Sequence, residues 1–124
     1  MPGCIDVTDY PEVSDLYLAA DAAIVDYSSL RFDFGVTGKP MIFHVPDLKR
    51  YQDTRGWLFD FEPTAPGPLV DTTDEVVERL RDLDGVRREY AAAYERFRAD
   101  YLDLEDGRAG ERFVDAVIAP RGDA

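Results

Sequence analysis

The chain has 124 residues, 45% of them apolar and 32% charged, which allows one folded domain with a core and excludes a disordered chain. Its 26 acidic and 14 basic residues leave a net charge of −12, which argues against DNA or RNA as a partner and, for the chain alone, against an anionic membrane surface, while leaving room for a nucleotide at one local site. The single cysteine, Cys4, excludes an internal disulfide; with no signal peptide and no apolar run long enough to span a bilayer, a reducing, cytoplasmic setting is expected.

Residues 4–7 (Cys-Ile-Asp-Val) predict a short entry strand. Thr8-Asp9 offers a cap, Pro11 sits at the start, and a helix over 12–20 puts Val13, Leu16, Tyr17 and Ala20 on one face. Asp21 ends it. Ala22-Ala23-Ile24-Val25 is short and apolar, as a buried parallel strand is. It runs through Asp26-Tyr27-Ser28-Ser29 into Leu30-Arg31-Phe32-Asp33-Phe34, the opening of a helix to Thr37 that Gly38 terminates. Met41-Ile42-Phe43 is the next buried strand. Strand, helix, strand, helix, strand within about 40 residues predicts a parallel α/β sheet with right-handed crossovers. Ligands of such sheets bind at the C-terminal ends of the strands. Asp26 to Ser29 occupies one such end, and His44-Val45-Pro46-Asp47 another.

Residues 45–68 read as a long loop, ordered by Tyr51, Trp57, Phe59 and Phe61. Its Arg50 and Arg55 are read as surface groups paired with Asp47, Asp53 or Asp60. Pro68-Leu69-Val70 predicts a last short strand. Thr72 and Glu75 have capping-box spacing and open a helix to Leu83, with Val76, Val77 and Leu80 inward. Gly85 separates it from a helix over 86–101, whose aromatic stripe Tyr90, Tyr94, Phe97 and Tyr101 is expected in the core. After a turn at 104–107, a final helix over 108–118 carries Phe113, Val114, Val117 and Ile118. The expected organisation is one domain over 1–120, followed by a tail at 121–124.

The serine turn is where chemistry concentrates. A strand entering a helix leaves several backbone N–H groups pointing to one spot at the positive end of the helix dipole. That is an anion site, above all for phosphate, and the hydroxyls of Ser28 and Ser29 add donors. The alternative is that a serine is simply the helix cap. Gly-x-Gly-x-x-Gly and Walker A motifs are absent. His44, the only histidine, has no serine or cysteine placed by sequence to pair with it, and a structural role is expected. No spacing suggests a metal site, and no cofactor is expected. From the residues alone, the result is an α/β domain with a phosphate pocket and no complete catalytic set.

Several stretches in fixed order resemble one family. They are Asp26-Tyr27-Ser28-Ser29-Leu30-Arg31-Phe32-Asp33-Phe34, Lys39-Pro40-Met41-Ile42-Phe43, Asp47-Leu48 with Tyr51, Arg55-Gly56-Trp57-Leu58-Phe59-Asp60-Phe61, Ala65-Pro66-Gly67-Pro68, and Leu104-Glu105-Asp106-Gly107-Arg108-Ala109-Gly110-Glu111-Arg112. The chain resembles the C-terminal part of the CDP-glycerol glycerophosphotransferases, the teichoic acid polymerases of bacterial cell walls.

The resemblance implies a Rossmann-like parallel sheet with flanking helices, the C-terminal half of a GT-B-type fold. It implies a donor-binding half that takes CDP-glycerol or CMP, in enzymes that pass glycerol phosphate to a polyol-phosphate acceptor and release CMP. By that likeness Ser28 and Ser29 hold the donor's diphosphate. Asp26 and Asp33 are further donor-site candidates. So is Arg112, whose alternative is a surface ion pair with Asp115 or Glu111. The family's catalytic histidines and its N-terminal acceptor domain are expected upstream, outside these 124 residues. The chain alone is then expected to be inactive, whether it comes from a truncated gene or from a split gene whose companion N-terminal chain supplies the rest. Family members work in the cytoplasm at the inner face of the membrane. The competing expectation is a non-catalytic module that uses the former interdomain face to form a homodimer or to dock another protein. A third is a related transferase with another nucleotide-linked donor, CDP-ribitol or a UDP-sugar.

Overall fold

The computed structural model describes residues 2–55 and 61–118. The apolar runs become strands β1 (Ala23–Val25), β2 (Met41–His44) and β3 (Leu69–Val70). They form one parallel sheet in the order β1-β2-β3, with Val25 opposite Phe43 and His44 opposite Val70. The helices are α1 (Val13–Ala19), α2 (Leu30–Gly35), α3 (Leu48–Arg55), α4 (Phe61–Thr64), α5 (Thr73–Arg81), α6 (Leu83–Glu89), α7 (Ala91–Tyr101) and α8 (Ala109–Phe113). Beyond α8 the chain continues as a wider π turn over Val114–Ile118.

Side chains alternate across a strand, so β2 feeds two cores. Met41 and Phe43 join Val25, Phe34, Phe61 and Phe97 on one face. Ile42 joins Val70 and Val76 on the other, under α5. A central parallel strand covered on both faces must be apolar throughout, and Met41, Ile42 and Phe43 are fully buried. The expected aromatic stripe is core at Phe97, with Tyr94 and Tyr101 packed against it.

Two close approaches hold these layers together. Gly67 passes so near β2 that a β-carbon on it would stand 1.9 Å from the Met41 carbonyl oxygen. Gly38 turns the chain into β2 at φ +70°, a left-handed conformation that glycine adopts without a Cβ clash. Next to it, the Lys39 ammonium donates to the carbonyls of Tyr17, Leu18 and Ala20 at 3.0, 2.8 and 2.7 Å. It thereby satisfies acceptors that the end of α1 leaves open. The capping box at α5 forms as expected: Glu75 N–H donates to Thr72 Oγ1 at 3.3 Å, and Thr72 N–H donates to Glu75 Oε2 at 3.1 Å.

Several expected elements are corrected. Residues 4–7 form no strand; Asp6 instead accepts both the N–H and the hydroxyl of Thr8, a local turn that competes with a ladder. Thr8 and Asp9 therefore do not cap α1, whose cap is Glu12, accepting from Ser14 N–H. Val13 on that helix is exposed, and so are Val77 and Leu80 on α5. The separator of the later helices is not Gly85, which lies inside α6. The break falls at Asp82, whose carboxylate accepts the Gly85 N–H at 2.9 Å. The expected single helix over 86–101 is two, α6 and α7, meeting at Tyr90. The long loop is partly helical, as α3 and α4. Trp57, Phe59, Asp60 and the tail at 121–124 lie outside the described residues.

Candidate functional site

The serine turn leaves β1 at the C-terminal edge of the sheet, where the strand pattern placed it. Asp26 Oδ1 accepts the Ser28 N–H at 2.8 Å, and Ser28 Oγ accepts the Leu30 N–H at 3.1 Å. The two serines differ in what they bond. Ser28 caps α2. Ser29 is already in helical conformation, at φ −63° and ψ −9°, and its side chain makes no cap bond. Its amide and hydroxyl form no hydrogen bond among the described residues. Both serines are exposed. The helix behind them is only six residues long, so its dipole is small and the local donors matter more.

Beside the turn stands a group that the sequence reading did not single out. The Tyr27 ring stacks on Tyr51 with centroids 4.1 Å apart and meets Phe61 edge-on at 5.7 Å. Its hydroxyl donates to Asp47 Oδ1 at 2.5 Å. Burial, together with the hydrogen bond to Asp47, pushes the Tyr27 hydroxyl well above the ordinary tyrosine range, so it remains a donor. Behind it Arg31, 5% exposed, lies over the rings of Phe61 and Phe32 at 4.6 and 4.9 Å. Desolvation lowers its pKa, though a guanidinium keeps its charge at any working pH. Asp47 and Tyr51 belong to the motifs that carried the resemblance, which was the available signal. Tyr27 belongs to the same motifs, between Asp26 and Ser28.

The other candidates are placed elsewhere. Asp33 opens onto a cleft of about 590 Å³ between α1, α2 and the end of α7, with Ser14, Tyr17, Tyr101 and Glu105. Burial, and then the charge of Asp33, raise the pKa of Tyr17. Arg112 Nη1 donates to both oxygens of Asp106 at 2.7 and 2.8 Å, and its Nη2 donates to the Leu104 carbonyl at 2.6 Å. The partners expected for it were Asp115 and Glu111; Glu111 pairs instead with Arg108. His44 is half-buried at the end of β2. Arg50 lines a shallow cleft of about 400 Å³ with Pro46, Lys49 and Asp53, and has no ion pair among the described residues. The side chain of Arg55 lies outside them. A further cleft of about 500 Å³ opens near Gly38 and Pro40, which precede β2, so it flanks the strand entrance and not the serine turn. No group of three or more potential metal ligands occurs among the described residues, and no helix among them is long and apolar enough to cross a membrane.

Comparison with known proteins agrees with this architecture. Residues 3–119 match the family model of the CDP-glycerol:poly(glycerophosphate) glycerophosphotransferases. The teichoic acid glycerol-phosphate transferase of Staphylococcus aureus (strain NCTC 8325 / PS 47) is 41% identical over 114 residues, 91% of this chain and 29% of that protein. The teichoic acid poly(glycerol phosphate) polymerase of Bacillus subtilis (strain 168) is 40% identical, over 91% of this chain and 15% of its own length. Among solved structures, the wall teichoic acid polymerase TagF superposes with a TM-score of 0.81 at 31% identity, over 90% of this chain and 28% of the TagF chain, in its C-terminal part. A TagF variant soaked with CDPG gives 0.80. The expected GT-B-type half-fold is borne out, and the chain spans less than a third of the length of these relatives. With the sheet, the serine turn and the matched motifs in agreement, the chain belongs to the CDP-glycerol:poly(glycerophosphate) glycerophosphotransferase family.

Proposed function

We propose that this chain is the donor-binding half of a CDP-glycerol glycerophosphotransferase. Ser29 carries the reading: an amide and a hydroxyl with no partner among the described residues, at the C-terminal edge of a parallel sheet. Ser29 supplies direct donors to the donor's diphosphate. Ser28 shapes the turn and lends its remaining hydroxyl hydrogen. Asp26 acts through the Ser28 amide. Asp33, in the cleft beside α1, is a weaker candidate for the donor's organic part, and Arg112 for phosphate charge. The one-domain reading of 1–120 belongs to the same proposal.

In the full reaction, glycerol phosphate passes from CDP-glycerol to a polyol-phosphate acceptor and CMP leaves. Transfer needs a base within hydrogen-bond reach of the acceptor hydroxyl, and both substrates held in line. The isolated 124 residues present one wall of such a site, and we propose that they bind donor without turning it over. Calorimetric titration with CDP-glycerol, CDP-ribitol and CMP tests this. Saturable binding that Ser28→Ala/Ser29→Ala abolishes supports the reading, and binding that the double variant leaves intact removes the diphosphate from the serine turn. Transfer by the purified chain would show that the half-site is sufficient.

A second reading has its own observation. Phe113, Val117 and Ile118 are 59%, 66% and 65% exposed, so an apolar face near the C-terminus stands open. A module that docks a companion chain or a second copy would use it. Mass that rises with concentration, together with no nucleotide affinity, would favour that reading over the first.

A further inference from the structure

Tyr27 is the residue between the Asp26 acceptor and Ser28, and its side chain is gripped from a different segment. Asp47, just ahead of α3, receives the Tyr27 hydroxyl, while Tyr51, one turn into α3, stacks on its ring at an interplanar angle of 16°. The Tyr51 N–H donates to the Asp47 carbonyl at 2.9 Å, so the two gripping residues belong to one helical turn. Asp47 stands where a helix-capping carboxylate would, yet its only side-chain hydrogen bond among the described residues goes to Tyr27. A carboxylate that could satisfy its own helix is thus used 20 residues away in sequence, across the C-terminal edge of the sheet. A hydroxyl donating to a carboxylate is a strong, directional bond, and it fixes the ring where stacking alone would let it slide. Because Ser28 follows Tyr27 directly, fixing that ring fixes the peptide that presents the serine amides.

We propose that Tyr27 and Asp47 are a positioning pair, whose hydrogen bond holds the serine turn in the orientation that receives the donor's phosphates. The role rests on the donor-binding reading above. In this role the pair acts through Ser28 and Ser29 and not on the reacting atoms. The tyrosine remains protonated at working pH, since its hydroxyl titrates far above the ordinary range.

The test uses the whole chain with Tyr27→Phe, Asp47→Asn, Asp47→Ala and the combined Tyr27→Phe/Asp47→Ala. CDP-glycerol affinity is read by calorimetry, amide exchange at Ser28 and Ser29 by NMR without ligand, and folding by thermal melt. Tyr27→Phe keeps the ring and both aromatic contacts, so it remains folded even if Asp47→Ala does not. Tyr27→Phe and Asp47→Ala should each weaken binding about tenfold and speed exchange at the serine amides. Asp47→Asn keeps an acceptor and should recover much of the loss. The combined variant should be no worse than either single one, because both remove the same bond. Wild-type affinity and exchange in Tyr27→Phe, or additive losses in the combined variant, would overturn the pairing. If the wild-type chain binds no CDP-glycerol, the donor reading fails. The exchange measurement then still decides whether the pair orders the turn.

Discussion

The Asp26 carboxylate accepts the Ser28 N–H at 2.8 Å, so the acid ahead of the two serines folds onto one of the amides that an anion would otherwise meet. Its charge and its shape therefore pull in opposite directions. The turn it braces presents Ser29, while its negative charge repels phosphate. Asp26→Asn keeps the acceptor and removes the charge, and should bind CMP about two- to fivefold more tightly, with a weaker dependence on salt. Asp26→Ala loses the brace and should bind more weakly than wild type. Titrations at two ionic strengths check both. A loss of affinity in Asp26→Asn equal to that in Asp26→Ala would mean that the carboxylate itself meets the donor.

Lys39 closes the end of α1 with three carbonyl contacts between 2.7 and 3.0 Å. Lys39→Met keeps the stem and removes the donors, leaving the half-buried Tyr17 and Ala20 carbonyls and the exposed Leu18 carbonyl to water. It should destabilise the fold by about 1–2 kcal/mol, measured by urea unfolding with an unchanged slope. Unchanged stability would mean that water replaces the ammonium without cost.

Gly67 has no room for a side chain against the Met41 carbonyl. Both residues are buried, so neither can swing into solvent. Gly67→Ala should push β3 away from β2 and cost about 3 kcal/mol. Thermal melting checks it, with Gly110→Ala as the control, since a β-carbon at Gly110 meets nothing within 4 Å.

Phe97 and Phe113 are both aromatic residues of the C-terminal helices, with opposite burial: 3% and 59% exposed. Phe97→Ala should cost about 3–5 kcal/mol. Phe113→Ser should stay within about 0.5 kcal/mol of wild type in a monomer. Amide exchange across 109–118 should be fast by the same logic. Strong protection there would show that a second copy or another partner covers the face.

The pH dependence has a definite sign at each end. The amides of Asp71 and Thr72 hold Glu75 below its ordinary range, and the Arg112 guanidinium does so for Asp106. The unfolded chain then binds more protons than the folded one as pH falls through about 4, so the stability these groups add at neutral pH is lost on acidification. Amides over 71–75 and 104–112 should lose protection first, and Glu75→Gln should remove the first of these effects. At the alkaline end, burial pushes the Tyr94 hydroxyl up to about 12 from 10.0, so the folded chain keeps a proton that the unfolded one loses. Stability should fall as pH climbs from about 10 through 12, and less steeply in Tyr94→Phe. Chemical denaturation across the pH range checks both.

Read alone, the sequence determined the three strands, the capping box of Thr72 and Glu75, the serine turn at a strand end and the family. Each of these depends on neighbours within a turn or two, on apolar runs and on cap spacing, or on motif order along the chain. What it misplaced depends on segments far apart in sequence. Residues 4–7 had strand composition but no ladder partner, and composition cannot supply one. Helix α3 was hidden because its stretch is polar and lacks an apolar stripe, while contacts such as Tyr27 with Tyr51 and Asp47 hold it to the sheet. Which cleft Asp33 opens onto was not legible from its one-turn spacing to Ser29, because a helix turns its side chains around the axis, and α2 faces Asp33 toward α1 and Glu105. That Ser28 Oγ accepts the Leu30 amide while the Ser29 side chain makes no cap bond follows from backbone angles of a few residues, and the Tyr27–Asp47 bond from the packing of β1 beside β2. These the tertiary structure decided, because a side chain's partner is set by which distant segment the sheet brings beside it.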